Sequence, residues 1–145
     1  MITDKLLRLS DAQAILGTDL AATDVIDLLQ ARDIGEGTDL YMAVTVITGF
    51  AGGTSIEFLV KGSTDATIVT GDTTLGTSGA ILLAALTAGA QFFVRINPQF
   101  ASLGQRYIGA FYDVTGTMTA GTVTTDIVLD ISDPKKFYSS GFSVT

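Results

Sequence analysis

Neither cysteine nor histidine occurs in this chain, and tryptophan is missing too. Without cysteine there is no disulfide framework and no thiolate metal site. Losing both residues also removes the Ser-His and Cys-His nucleophile systems and most transition-metal sites. Stability must come from packing and hydrogen bonds alone. Charged residues are sparse, at 16% of 145, yet the net charge is -7. The only adjacent basic pair is Lys135 and Lys136. A phosphate-neutralising face needs clustered cations, so nucleic acid is not an expected partner. An anionic membrane surface would repel the chain.

Long apolar runs are lacking as well. The densest, residues 80–86, falls far short of the roughly 20 residues that a spanning helix needs. Residues 1–16 are interrupted by Asp4, Lys5, Arg8 and Asp11, unlike the continuous apolar centre of a signal peptide. Neither export nor a membrane partner is expected. A transmembrane barrel would share the alternation described below, but it would usually need that signal and aromatic girdles. The high mean hydropathy is read instead as sheet that buries further surface against neighbours.

What is present is strand pattern, within a length that fits one domain over residues 1–145. Residues 105–131 read as two strands joined by a Gly- and Thr-rich connection. In the second, Val123, Thr125, Ile127, Leu129 and Ile131 share one face, and Thr122, Thr124, Asp126 and Asp130 the other, with Val128 the exception. In the first, Tyr107 and Phe111 point one way and Ile108 and Tyr112 the other, so that strand is central or meets a partner. Residues 41–48 and 55–61, separated by Gly52-Gly53, predict an antiparallel hairpin. Phe92, Val94 and Ile96 alternate with Gln91, Arg95 and Asn97 up to the stop at Pro98.

Other segments are less regular. Residues 62–79 predict a brief strand at Ile68-Val69 between two loops, and residues 81–86 fit a buried strand or a helical turn. Residues 23–29 read as a strand. Residues 1–20 read as an extended arm: Ser10 and Gln13 have capping-box spacing, while Leu7 and Leu9 alternate like an edge strand. Residues 132–145 form a tail carrying Phe137, Tyr138 and Phe142. Seven or eight short strands and almost no helix define an all-β protein, an antiparallel sandwich or small barrel.

Chemistry is hard to find. Asp126 and Asp130 share a face but lie roughly 13 Å apart along a strand, too far for a paired acid and base at about 5 to 9.5 Å. They read as solvated charges. Asp65 and Asp72 lie in loops where a carboxylate closes a turn. The ordered spacing of a helical calcium loop is missing, and the glycine clusters at 35–37 and 49–53 match no phosphate cradle. No catalytic, metal or cofactor residue is assigned. Arg106 reads as an interface anchor beside Tyr107 or as an ordinary strand-end charge.

In order, the segments LLRLSDAQAI, VIDLLQARDIGEG, VTVITGFAGGTSIEFLV, LTAGAQFFVRINP and RYIGAFYDVTGTMTAGTVTTDIVLD resemble the small capsid cement (decoration) proteins of tailed bacteriophages of the Bordetella-phage type. That resemblance implies a jelly-roll β-sandwich, a homodimer on the capsid exterior that staples major capsid protein subunits together, and no enzymatic activity. Hydrophobicity then selects the contacts. Leu6, Leu7 and Leu9 in the arm and Phe137, Tyr138 and Phe142 in the tail are expected to reach neighbours. Arg106, Tyr107, Phe111 and Tyr112 are expected at the dimer contact. The alternative is a surface β-sandwich that binds carbohydrate or a receptor.

Overall fold

The computed structural model describes residues 3–31, 39–68, 72–98 and 103–129. Within them a 3-10 helix at Lys5–Leu7 leads into β1 (Arg8–Ala14), followed by β2 (Leu20–Ala21), β3 (Ile26–Asp27), β4 (Tyr41–Gly52) and β5 (Ser55–Ser63). Then come β6 (Thr73–Leu82), a second 3-10 helix at Leu83–Ala85, β7 (Gln91–Arg95), β8 (Tyr107–Thr115) and β9 (Met118–Val128). One sheet has the order β1-β9-β4-β7, the other β2-β8-β5-β6, and β3 also pairs with β8. All the strand pairs are antiparallel.

Taking β2 and β3 as one broken edge strand leaves eight strands. Successive strands then switch sheets at every connection except β5–β6, in two Greek keys, which is jelly-roll topology. The order has a simple cause. Apart from β5 and β6, which pair as neighbours in one sheet, each link that could close a hairpin crosses between sheets instead. Residues 41–48 and 55–61 do not pair with each other: β4 lies between β9 and β7, whereas β5 lies between β8 and β6. The corner is Gly52-Gly53, with φ of 74° and 55°, and a Cβ on Gly52 would meet the Thr117 carbonyl oxygen at 2.6 Å. Left-handed backbone and close approach both require glycine there. Likewise β8 and β9, adjacent in sequence, are the second strands of opposite sheets.

The inward faces interlock. Met42, Val44 and Val46 of β4 and Val123 of β9 pack against Ile56, Phe58 and Val60 of β5 and Ile108 and Tyr112 of β8, all buried. Phe58 bridges the layers, its ring 5.6 Å from Phe92 and 5.9 Å, edge-on, from Tyr112. Such aromatic pairs add specific geometry to area burial.

Several expectations are corrected. Within the stretch read as an arm, residues 8–14 are an edge strand, held by β9. Ser10 and Gln13 do meet, with the Ser10 hydroxyl donating to Gln13 Oε1 at 2.6 Å, but across an irregularity in β1 rather than at a helix start. Of residues 23–29 only Ile26–Asp27 is strand. Ile68 is a buried turn residue at φ 54°, and Val69 lies outside the described residues. The strand of that region is β6, whose threonines, serine and glycines hid its period. Asp126 is 6% exposed because β9 is flanked by β1 and β4, and Arg8 Nε pairs with its Oδ1 at 2.9 Å. Asp130 lies outside the described residues.

Candidate functional site

The outer face of β8 is where the sequence left a choice, since its second apolar side needs a cover. Ile108, Ala110 and Tyr112 point into the core, so Tyr107, Gly109 and Phe111 point outward. The cover comes from this chain. A Cβ on Gly109 would lie 2.8 Å from Ile68 Cγ1 and 3.5 Å from Val25 Cγ2, so the turn after β5 and the segment before β3 close over the strand here. Ile68 is 3% exposed. Its turn is locked by backbone and side-chain bonds: Thr67 N–H donates to Asp65 Oδ1 at 2.9 Å, and Asp65 N–H to Ser63 Oγ at 2.9 Å.

Cations complete the cover. Lys61 Nζ stands 3.9 Å from the centre of the Phe111 ring and 2.7 Å from Asp72 Oδ2. The pairing holds the Asp72 carboxyl below the usual carboxylate range, chiefly through the Lys61 hydrogen bond. The Arg106 guanidinium lies 5.0 Å from the Tyr107 ring. It also grips Asp27 with two bonds of 2.7 Å, Nε to Oδ1 and Nη2 to Oδ2. That fork lowers the Asp27 carboxyl pKa, as a bidentate charge-assisted pair should. Tyr107 and Phe111 remain half-buried.

The other candidate contacts separate cleanly. Leu6 is 86% exposed and Leu7 38%, on a 3-10 helix capped by Asp4 and packed against β9. Leu129, 59% exposed, follows the end of β9. These leucines lie at the end of the sandwich where β1 begins and β9 finishes. Leu9 and Tyr112 are fully buried and leave the set of surface contacts: Leu9 faces the core from β1, and Tyr112 is the inward partner of Phe58. Phe137, Tyr138 and Phe142 lie outside the described residues.

Tyr112 has a different role. Its hydroxyl sits 2.6 Å from Ser10 Oγ and 2.8 Å from Thr125 Oγ1. Ser10 spends its proton on Gln13 Oε1, so Tyr112 donates to Ser10 and Thr125 donates to Tyr112. Burial pushes the phenol up to about 12, the two hydrogen bonds opposing it. The sequence signal for this network was Thr125, a hydroxyl on the inward face of its strand; Ser10 turns inward beside Leu9 only through the irregularity in β1.

Carboxylates gather in one row. Glu57 and Asp113 stand opposite each other in the β5–β8 register, and Asp19 accepts the Val114 N–H at 2.9 Å. The Asp113 carboxyl is raised, first by burial and then by Asp19 and Glu57, against the opposing pull of Lys61. Among the described residues no three His, Cys, Asp or Glu side chains converge as metal ligands. An open hollow beside Leu75, Arg95, Ile96, Asn97 and Pro98 brings together no acid–base pair.

A closed jelly roll whose cations pair with carboxylates and cap aromatics has the makings of a structural or binding protein. The Bbp16 family model matches residues 9–127, from β1 into β9. The chain belongs to the Bbp16 family, of the Bordetella-phage type, and is a bacteriophage structural protein. Among curated proteins, none matches. Of solved structures, a chain in the structure of infectious bursal disease virus, Gx strain, is similar at 12% identity and a TM-score of 0.36, covering 83% of this chain and 30% of that one.

Proposed function

We propose that this protein is a capsid cement protein, a homodimer that binds the outer surface of a phage head and staples major capsid subunits together. The observation that carries the reading is the extent of the family match, which runs through the jelly roll from β1 to β9. Physical chemistry agrees with the role. A net charge of -7 keeps the protein away from packaged nucleic acid and suits an exterior position. A stapling protein needs a stiff body and margins that adhere. The body is the interlocked sandwich, and the exposed Leu6, Leu7 and Leu129 supply one such margin. Contacts to several shell subunits at once would convert weak binding into avidity, because each later contact is intramolecular.

The test is incubation with phage heads stripped of decoration. The protein should bind them saturably and raise their resistance to heat or pressure. Heads that neither bind it nor gain resistance would end the cement reading. Reproducible, saturable glycan binding by the isolated protein would move the function to surface recognition.

A further inference from the structure

Gln105, just before β8, is a polar side chain at an apolar end of the core. It is 4% exposed. A Cβ on Gly62 would meet Leu75 Cδ1 at 2.9 Å and Gln105 Cγ at 3.0 Å, so the glutamine lies over β5 beside Leu75, a core residue of β6. The bare glycine is what admits it.

One half of its amide is settled. Nε2 donates to the Leu103 carbonyl at 3.0 Å and to Thr73 Oγ1 at 3.2 Å. A carbonyl only accepts, so the nitrogen must face Leu103 and the amide cannot be turned round. That leaves Oε1 buried with no donor among the described residues. Buried acceptors in folded proteins nearly always have a partner, and ordered water supplies it where the chain does not.

We propose that Gln105 Oε1 and the Thr73 hydroxyl bind a structural water, which bridges the segment before β8 to β6. The donor set selects water. Thr73 Oγ1 accepts from the amide, so its own proton can go to a water that in turn donates to Oε1. Those are the two polar partners that a buried water needs at minimum. A metal cation needs a shell of several oxygens, and here the Leu103 carbonyl and the Thr73 hydroxyl already face the amide N–H. Solvent is close at hand. Thr73 is half-buried, and Leu75 also lines the open hollow beside Arg95, Ile96, Asn97 and Pro98. Gly62 pairs with Thr73 on one side and Ile108 on the other, so the bridge crosses β5 and ties three neighbouring strands at one end. It also steadies the segment that delivers Arg106 to Asp27, beside the Arg106 N–H bond to the Ser63 carbonyl at 3.0 Å.

Oxygen-17 relaxation dispersion and water-to-protein cross-relaxation on the full chain provide the test, with thermal melts to check that each variant folds. Oxygen-17 reports water itself and is blind to exchanging hydroxyl protons. In the wild type the Gln105 side-chain amide protons should show the cross-relaxation of a long-lived water. Gln105→Met removes the acceptor at similar length and should delete one long-lived water from the dispersion. Thr73→Val keeps the shape but loses the donor, and should shorten that water's residence. A wild type without a long-lived water at the amide would overturn the proposal, and would mean that a donor of the chain itself satisfies Oε1. So would a water signal that persists unchanged in folded Gln105→Met or Thr73→Val. If Gln105→Met fails to fold, the wild type and Thr73→Val still decide.

Discussion

The Tyr112 hydroxyl donates to Ser10 Oγ across the core, 2.6 Å away, and thereby ties the centre of one sheet to the edge strand of the other. Tyr112→Phe removes the proton aimed at Ser10 Oγ and takes away the acceptor of the Thr125 hydroxyl. Both groups are fully buried. The loss should be about 1–3 kcal/mol in denaturant unfolding. An unchanged midpoint would mean that the network carries no net stability.

The cover over β8 makes a second prediction. Gly109→Ala introduces a methyl where Ile68 already stands 2.8 Å away, and overpacking of this kind costs about 1–3 kcal/mol. Ile68→Ala empties the same site and should cost about 2–4 kcal/mol. It should also raise the binding of a hydrophobic dye by uncovering Tyr107 and Phe111. If the dye signal stays flat, the turn is not what shields them.

Two ion pairs should rank by burial. Arg8 pairs with Asp126, whose side chain is 9% exposed, whereas Arg95 and Asp39 are 66% and 40% exposed. Removing Arg8 strands a buried carboxylate, but removing Arg95 strands a solvated one. Chemical unfolding should show Arg8→Ala clearly less stable than Arg95→Ala, with Arg95→Ala near the wild type. The reverse order would refute the ranking.

The pH dependence follows from opposed shifts. Asp27 and Asp72 have lowered values, so their stabilisation is present above the ordinary carboxylate value of 3.8 and is lost as pH falls through their folded values. Asp113 is raised, so the folded state binds its proton more tightly and stability rises slightly as pH falls toward that group's folded value. With no histidine, thermal stability should be nearly flat from about pH 6 to 8, improve slightly on mild acidification, then fall steeply below pH 3.8. Asp113→Asn should erase the mild-acid gain and stabilise the protein at neutral pH, since it removes the like charge opposite Glu57. A maximum that persists in this variant would exclude Asp113 as its source.

Strand character was legible wherever β-branched and aromatic residues alternate. Phe92, Val94 and Ile96 face inward as their spacing predicts, as do Val123, Thr125 and Ile127. A period of two marks which side chains share a face, because successive residues point to opposite sides of a strand. It carries no information about which strands are neighbours. Gly52-Gly53 therefore read as a hairpin turn but serves as a corner between sheets. Asp126 read as solvated, though its partner Arg8 is 118 residues away in sequence.

The same division runs through the candidate surfaces. Composition alone excluded thiol, imidazole and cation-cluster chemistry, and alternation alone established an all-β chain with an apolar excess. Tertiary structure decided where that excess goes. It took Leu9 and Tyr112 into the core, seated Ile68 on Gly109, and brought the edges of opposite sheets together where Asn97 donates to Leu75. Each of these outcomes depends on contacts between residues distant in sequence, and a local pattern cannot encode them.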